Sequence, residues 1–110
     1  MESCIFCQIA GGATSTPFVY EDDETVAFRD IQPQAPVHLL VVPRRHVASL
    51  DEVHDEPLLG RLLQTARRVA AGAGLQHYRV VVNTGADAGQ SVLHLHLHVL
   101  GGRVMAWPPG

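Results

Sequence analysis

The sequence lacks the features of a nucleic-acid-binding, secreted or membrane-spanning chain. Its 11 acidic residues outnumber 8 basic ones, giving a net charge of −3, whereas a protein that scans nucleic acid needs a basic surface to displace counterions. The longest apolar run, VHLLVVP, is far shorter than the roughly 20 residues that span a bilayer. No basic segment followed by a long apolar run opens the chain, so we expect no signal peptide. These absences predict a cytoplasmic protein with no nucleic-acid or membrane partner.

Cysteine and linker sequence are also scarce. The two cysteines, Cys4 and Cys7, are expected to stay reduced in the cytoplasm. One Cys-x-x-Cys pair is a weak signal, because a thioredoxin-like redox motif needs a preceding strand and a zinc site needs two more ligands. No repeat or linker interrupts the 110 residues, which predict a single domain over residues 1–110.

The pattern of apolar residues predicts two helices and five strands. CIFCQIAGG is typical of a short helix closed by glycines, and FVYEDDETVAFRDI of a hairpin with an acidic turn. VHLLVVP, YRVVVN and VLHLHLHVLGG predict three more strands, of which the first is interior because it is almost entirely apolar. This order favours an α+β fold, an antiparallel sheet with one main helix on one face.

The main helix is predicted within DEPLLGRLLQTARRVAAGAGL. Asp55 is a plausible N-cap, Pro57 lies near the first helical position, and Gly72 and Gly74 mark the end. Its apolar residues recur at helical spacing and predict the buried face: Leu59, Leu62, Leu63, Ala66, Val69, Ala70 and Ala73.

Three histidines alternate with aliphatic residues in SVLHLHLHVLGGR. Alternate side chains of a strand share a face, so His94, His96 and His98 are expected to face one way and the aliphatic residues the other. At about 3.3 Å per residue, His94 and His98 are roughly 13 Å apart at the backbone. One ion therefore cannot hold all three, and at most two imidazoles serve any one centre.

Two kinds of chemistry use such a row. Zinc sites built on strands take histidines at i and i+2. A neutral imidazole nitrogen can also attack phosphorus while a neighbouring imidazole binds phosphoryl oxygens or donates a proton. The preceding NTGADAGQS suits an anion, because Gly85 and Gly89 allow close backbone approach and Ser91 offers a hydroxyl. Row and loop together predict a phosphate site.

The segment HLHLHVL has the form His-x-His-x-His-x-x and resembles the signature of the histidine-triad (HIT) nucleotide-binding proteins. The resemblance is closest to the Hint branch, the purine nucleoside phosphoramidases, and extends to IFCQIA, DIQPQAP, YRVVVNTGADAGQSV and the tail WPPG. It implies a HIT-like fold with a five-stranded antiparallel sheet, one main helix and a short N-terminal helix. It also implies a homodimer in which two sheets join into one.

The resemblance further implies residue roles. His96 would attack the α-phosphate of a purine nucleoside 5′-phosphoramidate, expel the amine and form a nucleotidyl-histidine that water hydrolyses. His98 would contact the phosphate or leaving group, and His38 would hold His96 in its reactive tautomer. The other implied residues are Ser91 near the leaving group, Asn83, Gly89 and Gln90 around the phosphate, Asp30 on the ribose, Ile31, Phe28, Phe6 and Ile9 against the purine, and Trp107 from the partner subunit's tail. Ordinary core packing accounts equally well for Phe6, Ile9 and Phe28.

Some branches of the superfamily bind a structural zinc ion through a cysteine pair, a histidine after a Pro-x-x-His turn and the first histidine of the triad. Cys4, Cys7, His46 and His94 fill those positions. A Cys₂His₂ set forms a closed tetrahedral site, so this zinc would be structural and would leave two histidines for the nucleotide.

Two other functions fit the same residues. A dinucleoside polyphosphate hydrolase or nucleotidyl transferase of the superfamily would differ in its relative rates on a phosphoramidate and a diadenosine polyphosphate. A non-catalytic nucleotide- and zinc-binding adaptor would act without His96. The WPPG tail favours the phosphoramidase.

Overall fold

The computed structural model describes residues 3–110 of the chain. In this part the elements follow in the order α1 (Ile5–Ala10), β1 (Phe18–Glu21), β2 (Thr25–Arg29), β3 (Val37–Pro43), α2 (Glu56–Gly72), β4 (Tyr78–Val82) and β5 (Leu97–Gly101). The strands form one antiparallel sheet in the order β1-β2-β3-β5-β4. The predicted α+β fold, with one main helix and a short N-terminal helix, is confirmed.

Local sequence signals explain where these elements begin and end. The Asp22 carboxylate accepts hydrogen bonds of 2.8 Å from the amides of Glu24 and Thr25, which closes the acidic turn between β1 and β2. The Asp55 carboxylate caps α2 by accepting from the Leu58 amide at 3.2 Å. Gly74 has a φ of +76°, which favours glycine after the end of this helix.

The buried face of α2 differs in part from the prediction. Leu62, Ala66 and Val69 pack on the sheet as expected, but Leu63 is 58% exposed. Thr65 is fully buried instead, because its hydroxyl lies 2.9 Å from the equally buried hydroxyl of Thr25 on β2. A polar residue can therefore face the sheet where a second hydroxyl satisfies it. No helix within residues 3–110 is both long and apolar enough to cross a membrane.

The sheet separates two apolar clusters, and the histidines lie on the side of α1. Leu95, Leu97 and Val99 belong to the cluster under α2, whereas the cluster on the other face is made by Phe6, Ile9, Ala10, Val26, Phe28, Leu40 and Val42. The alternation predicted for the last strand is thus confirmed. The strand itself is shorter than predicted and begins at Leu97, because the preceding segment is held by a 2.7 Å bond from the Leu95 amide to the Val47 carbonyl.

Candidate active site and metal centre

The histidines of β3, of β5 and of the segment before β5 meet on the face of the sheet where α1 lies. The ring centroids of His96 and His98 are 5.0 Å apart, and those of His38 and His98 are 5.1 Å apart. Phe6 of α1 meets His96 edge to face with 5.1 Å between centroids. The short helix therefore covers one end of the row, and His96 is buried to 6% exposure.

One hydrogen bond sets the tautomer of His96. Its Nδ1 lies 2.8 Å from the His94 carbonyl oxygen. Because a carbonyl oxygen can only accept, Nδ1 carries the proton of the neutral ring and Nε2 keeps its lone pair. A lone pair on Nε2 is what a histidine nucleophile requires.

A second chain of hydrogen bonds sets the tautomer of His98. The Gln34 amide donates to Nδ1 of His38 at 3.0 Å, so the neutral His38 ring carries its proton on Nε2. That nitrogen lies 2.8 Å from Nδ1 of His98 and 3.3 Å from a carboxylate oxygen of Asp30. His98 accepts through Nδ1, and its own proton therefore lies on Nε2.

The expectation that His38 orients His96 is not what the structure shows. His38 pairs with Leu100 across β3 and β5, and Leu40 pairs with His98. His38 is therefore the diagonal neighbour of His98, within reach of a long side chain. The segment that carries His96 lies beyond the paired residues, where a backbone carbonyl serves it instead.

Burial keeps two of these imidazoles neutral. Burial, followed by the neighbouring His96 and His38 rings, lowers the pKa of His98 to about 4. Burial also lowers the pKa of His38, and the nearby Asp30 carboxylate opposes that effect. Each ring then carries one proton at neutral pH, as the hydrogen-bond chain requires.

A separate cluster of sulfur and nitrogen donors lies at the His94 end of the row, which is the end that α1 covers. Nδ1 of His94 is 3.3 Å from the Cys4 sulfur and 3.4 Å from the Cys7 sulfur, and Nδ1 of His46 is 3.4 Å from Cys7. All four donor atoms lie within 4.8 Å of one another. Zinc bonds of about 2.3 Å to sulfur and about 2.0 Å to nitrogen place tetrahedral ligands roughly 3.5 Å apart. The donor set and its spacing therefore fit zinc.

Hydrogen bonds to the surrounding backbone orient these donor atoms toward one another. Nε2 of His94 donates to the Pro43 carbonyl at 2.8 Å, which leaves the lone pair on Nδ1, toward the cysteines. Cys4 is the N-cap of α1 and accepts from the Cys7 amide at 3.4 Å, so one helical turn brings both sulfurs together. Burial raises the pKa of the Cys7 thiol, and a bound cation has the opposite effect on a thiol.

The glycine loop (residues 84–91) changes direction at its two glycines. Gly85 and Gly89 have φ values of +88° and +98° on either side of one 3-10 turn, and Ser91 is exposed. Gln90 was predicted to contact the nucleotide, but it is 7% exposed and its side-chain amide bonds to protein backbone. Sequence reasoning missed this because the backbone partners become neighbours only in the folded chain.

The residues predicted to bind the nucleoside differ widely in their exposure to solvent. Phe6, Ile9 and Phe28 are less than 9% exposed and pack as core, which is the alternative the sequence left open. Ile31 is 93% exposed. Asp30 is half-buried and accepts from the Gln32 amide at 2.8 Å, so its carboxylate is oriented locally. Asn83 follows β4 and is half-buried.

The C-terminal tail is tied to the edge strand β4 of its own chain. The Arg79 guanidinium donates to the Ala106 carbonyl at 2.9 Å and lies 5.8 Å from the centre of the Trp107 ring. Trp107 is 80% exposed. Its contribution to the site of a partner subunit stays a prediction.

The chain matches the HIT domain family over residues 12–105. It is 52% identical to an uncharacterized HIT-like protein of Synechococcus elongatus, over 99% of this chain and 98% of that protein. A crystal structure of a HIT family hydrolase from Legionella pneumophila is 47% identical with a TM-score of 0.93, covering 98% of this chain and 100% of that one. A histidine triad nucleotide-binding protein from Candida albicans is 31% identical with a TM-score of 0.85, covering 96% and 83% respectively. The chain therefore belongs to the HIT domain family.

The depressed pKa of His98 predicts an acid-sensitive fold. The unfolded chain takes up a proton at the usual histidine pKa of about 6.5, whereas folded His98 stays neutral down to about 4. Between these values the unfolded state binds more protons, so the free energy of unfolding decreases as the pH falls from about 6.5 to about 4. Urea unfolding at several pH values should show this slope, and a shallower one in His98→Gln. An NMR titration midpoint of the His98 ring near 6.5 would contradict the prediction.

Proposed function

We propose that this protein hydrolyses purine nucleoside 5′-phosphoramidates through a covalent intermediate on His96. The proposal depends chiefly on the bond between His96 Nδ1 and the His94 carbonyl, which leaves a lone pair on Nε2 of a histidine in the triad. The solved relatives named as a HIT family hydrolase and a histidine triad nucleotide-binding protein support this class of reaction. The WPPG tail favours a phosphoramidase over a dinucleoside polyphosphate hydrolase.

In the proposed reaction, Nε2 of His96 attacks the α-phosphorus and the phosphorus–nitrogen bond to the amine breaks. The amine leaves with a proton from the nearby Ser91 hydroxyl, which is exposed and takes a proton back from solvent. Nε2–H of His98 donates to the phosphoryl oxygens, where negative charge develops. Water then attacks phosphorus, the bond to His96 breaks, the nucleoside monophosphate leaves and the spare proton passes to solvent.

Ribose and base would bind on the side of Asp30. A carboxylate accepts well from a vicinal diol, and the half-buried Asp30 is already oriented by the Gln32 amide. The exposed Ile31 side chain gives a purine an apolar surface next to it. Since Phe28 is 3% exposed, its contribution would be to support the base site from beneath.

The covalent mechanism makes a sharp prediction for His96→Ala. We expect this variant to lose at least about 10³-fold in turnover of an adenosine phosphoramidate, since the nucleophile is gone, while still binding AMP. His54→Ala, at an exposed position outside the site, is the control and should keep wild-type turnover. Near-normal hydrolysis by His96→Ala would refute the mechanism. A wild-type preference for diadenosine polyphosphate would instead favour the other hydrolase.

We further propose that Cys4, Cys7, His46 and His94 hold one structural zinc ion. The supporting observation is the donor geometry, with all four atoms within 4.8 Å. Zinc would fix α1 to the segments that carry His46 and His94. This role suits the cytoplasmic location that we propose, where the thiols stay reduced.

The zinc proposal predicts one metal ion per chain, lost in Cys7→Ser and His46→Ala but retained in His77→Ala, an exposed histidine outside the cluster. Zinc at 100 times its Kd would stabilise the fold by about 2.7 kcal/mol, or roughly 10 °C in Tm. Metal analysis and thermal melts with a chelator test this. Purified protein without zinc, whose Tm does not rise when zinc is added, would contradict it.

The third part of the proposal is a homodimer whose sheet continues across the subunits. β4 is an edge strand of the described sheet, and such a strand offers unpaired backbone groups to a partner. Leu63, Tyr78 and Trp107 add exposed apolar surface, at 58%, 41% and 80% exposure.

A mixing experiment tests both the dimer and the role of Trp107. We expect Trp107→Ala to be impaired in phosphoramidate turnover and His96→Ala to be inactive. If Trp107 serves the partner's site, mixed dimers regain one complete site, because the intact tail of one subunit meets His96 of the other. Light scattering should give about twice the 11.9 kDa chain mass. A monomer, or no recovery on mixing, would exclude this arrangement.

A further inference from the structure

The side-chain amide of Gln90 makes three hydrogen bonds to backbone groups of the protein. Its Oε1 accepts from the Gly85 amide at 3.0 Å, and its Nε2 donates to the carbonyls of Ala48 at 2.7 Å and Val92 at 3.0 Å. The residue is 7% exposed although Gly89 and Ser91, its neighbours in the chain, are exposed. An inward-facing residue thus lies in an otherwise exposed loop.

These three bonds brace the glycine loop. Gly85 lies near its beginning, Val92 directly follows its end, and Ala48 belongs to the segment after β3. The other hydrogen bonds within the loop are short-range backbone bonds around the 3-10 turn, at 3.0–3.2 Å. The bond from Gln90 to Ala48, in contrast, joins this loop to a segment 42 residues away in the chain.

Few other side chains could make this set of bonds. The three bonds need one acceptor and two donors at the end of a side chain as long as glutamine, and the glutamine amide supplies them. Glutamate keeps the acceptor but would place a carboxylate against two carbonyl oxygens. Methionine keeps the length but leaves the Gly85 amide and the carbonyls of Ala48 and Val92 without this partner.

We propose that Gln90 is a positioning residue, which holds the glycine loop in the shape that presents Ser91 and the loop backbone to the phosphate. This inference rests on the proposed function, because it concerns the phosphate end of the nucleotide. The inward direction of Gln90 leaves the next side chain, Ser91, facing outward. Ala48 comes two residues after His46 and Val92 two residues before His94, so the brace also joins the loop to the segments of the metal centre.

If Gln90 holds the loop in shape, its substitution should weaken the binding of ligands that carry a phosphate and leave the binding of other ligands unchanged. Gln90→Glu and Gln90→Met should weaken AMP binding by about 10-fold or more and lower kcat/KM by roughly 10- to 100-fold, since a displacement of about 1 Å can cost that much. Adenosine has no phosphate, so its affinity should stay within about 2-fold under the same argument. Calorimetry with AMP and adenosine, and phosphoramidate kinetics, measure these effects. Gln76→Glu and Gln76→Met, at an exposed glutamine, are the matched controls.

A measurement on the wild-type protein tests the brace without any substitution. Gly85 is exposed, yet its amide donates to Gln90, so its hydrogen exchange should be slowed at least about 10-fold relative to an unstructured amide. In Gln90→Met this protection should disappear. If the variants fail to fold, the wild-type exchange still decides whether the brace exists.

Several outcomes would overturn the inference. If the Gln90 variants lose AMP and adenosine affinity equally, the role of Gln90 is merely structural. If their AMP affinity is unchanged, Gln90 does not position the loop. Unprotected hydrogen exchange of the Gly85 amide in the wild type would show that this amide does not bond to Gln90. A wild-type protein that binds AMP but hydrolyses no phosphoramidate would refute the proposed function, while the comparison of AMP with adenosine would still decide the role of Gln90. Absence of any AMP binding would overturn both.

Discussion

The arrangement of the site depends on His94, whose backbone and ring face two different centres. Its carbonyl oxygen accepts a hydrogen bond from His96 Nδ1 at 2.8 Å. Its fully buried ring donates to the Pro43 carbonyl, which leaves Nδ1 directed at the two cysteines. A shift of this residue would therefore disturb the tautomer of the triad's middle histidine and the donor cluster together. The Cys/His donor cluster and the candidate nucleophile share His94, so the stability of one contributes to the order of the other.

The two remaining imidazoles of the site are made different by their partners. His96 is served by a carbonyl and keeps a lone pair on Nε2, whereas His98 is served by His38 and keeps a proton there. Burial supports the second arrangement, because it lowers the pKa of both His38 and His98 and so keeps each ring neutral. Two identical side chains thereby differ at Nε2: His96 has a lone pair there and His98 a hydrogen-bond donor. Their ring centroids are 5.0 Å apart.

Signals that act over a few residues predicted much of the fold. The Asp55 cap, the turn at Asp22 and the alternation of Leu95, Leu97 and Val99 with the histidines all appear as expected. The buried face of α2 was predicted less well: Leu63 is exposed and Thr65 is buried. The spacing of apolar residues carries no information about the buried Thr25 hydroxyl on β2, which forms a hydrogen bond with the Thr65 hydroxyl.

The sequence by itself determined which side chains share a face, which segments turn and which residue types are available, because strand alternation, caps and glycine turns are local properties. Tertiary structure alone decided that His38 serves His98 and that Gln90 points inward, and it brings Cys4 and Cys7 to His46, as the resemblance implied. Each of these contacts joins segments far apart in the chain. They depend on the register of β3 with β5 and on the packing of α1 over the sheet, which no short stretch of sequence encodes.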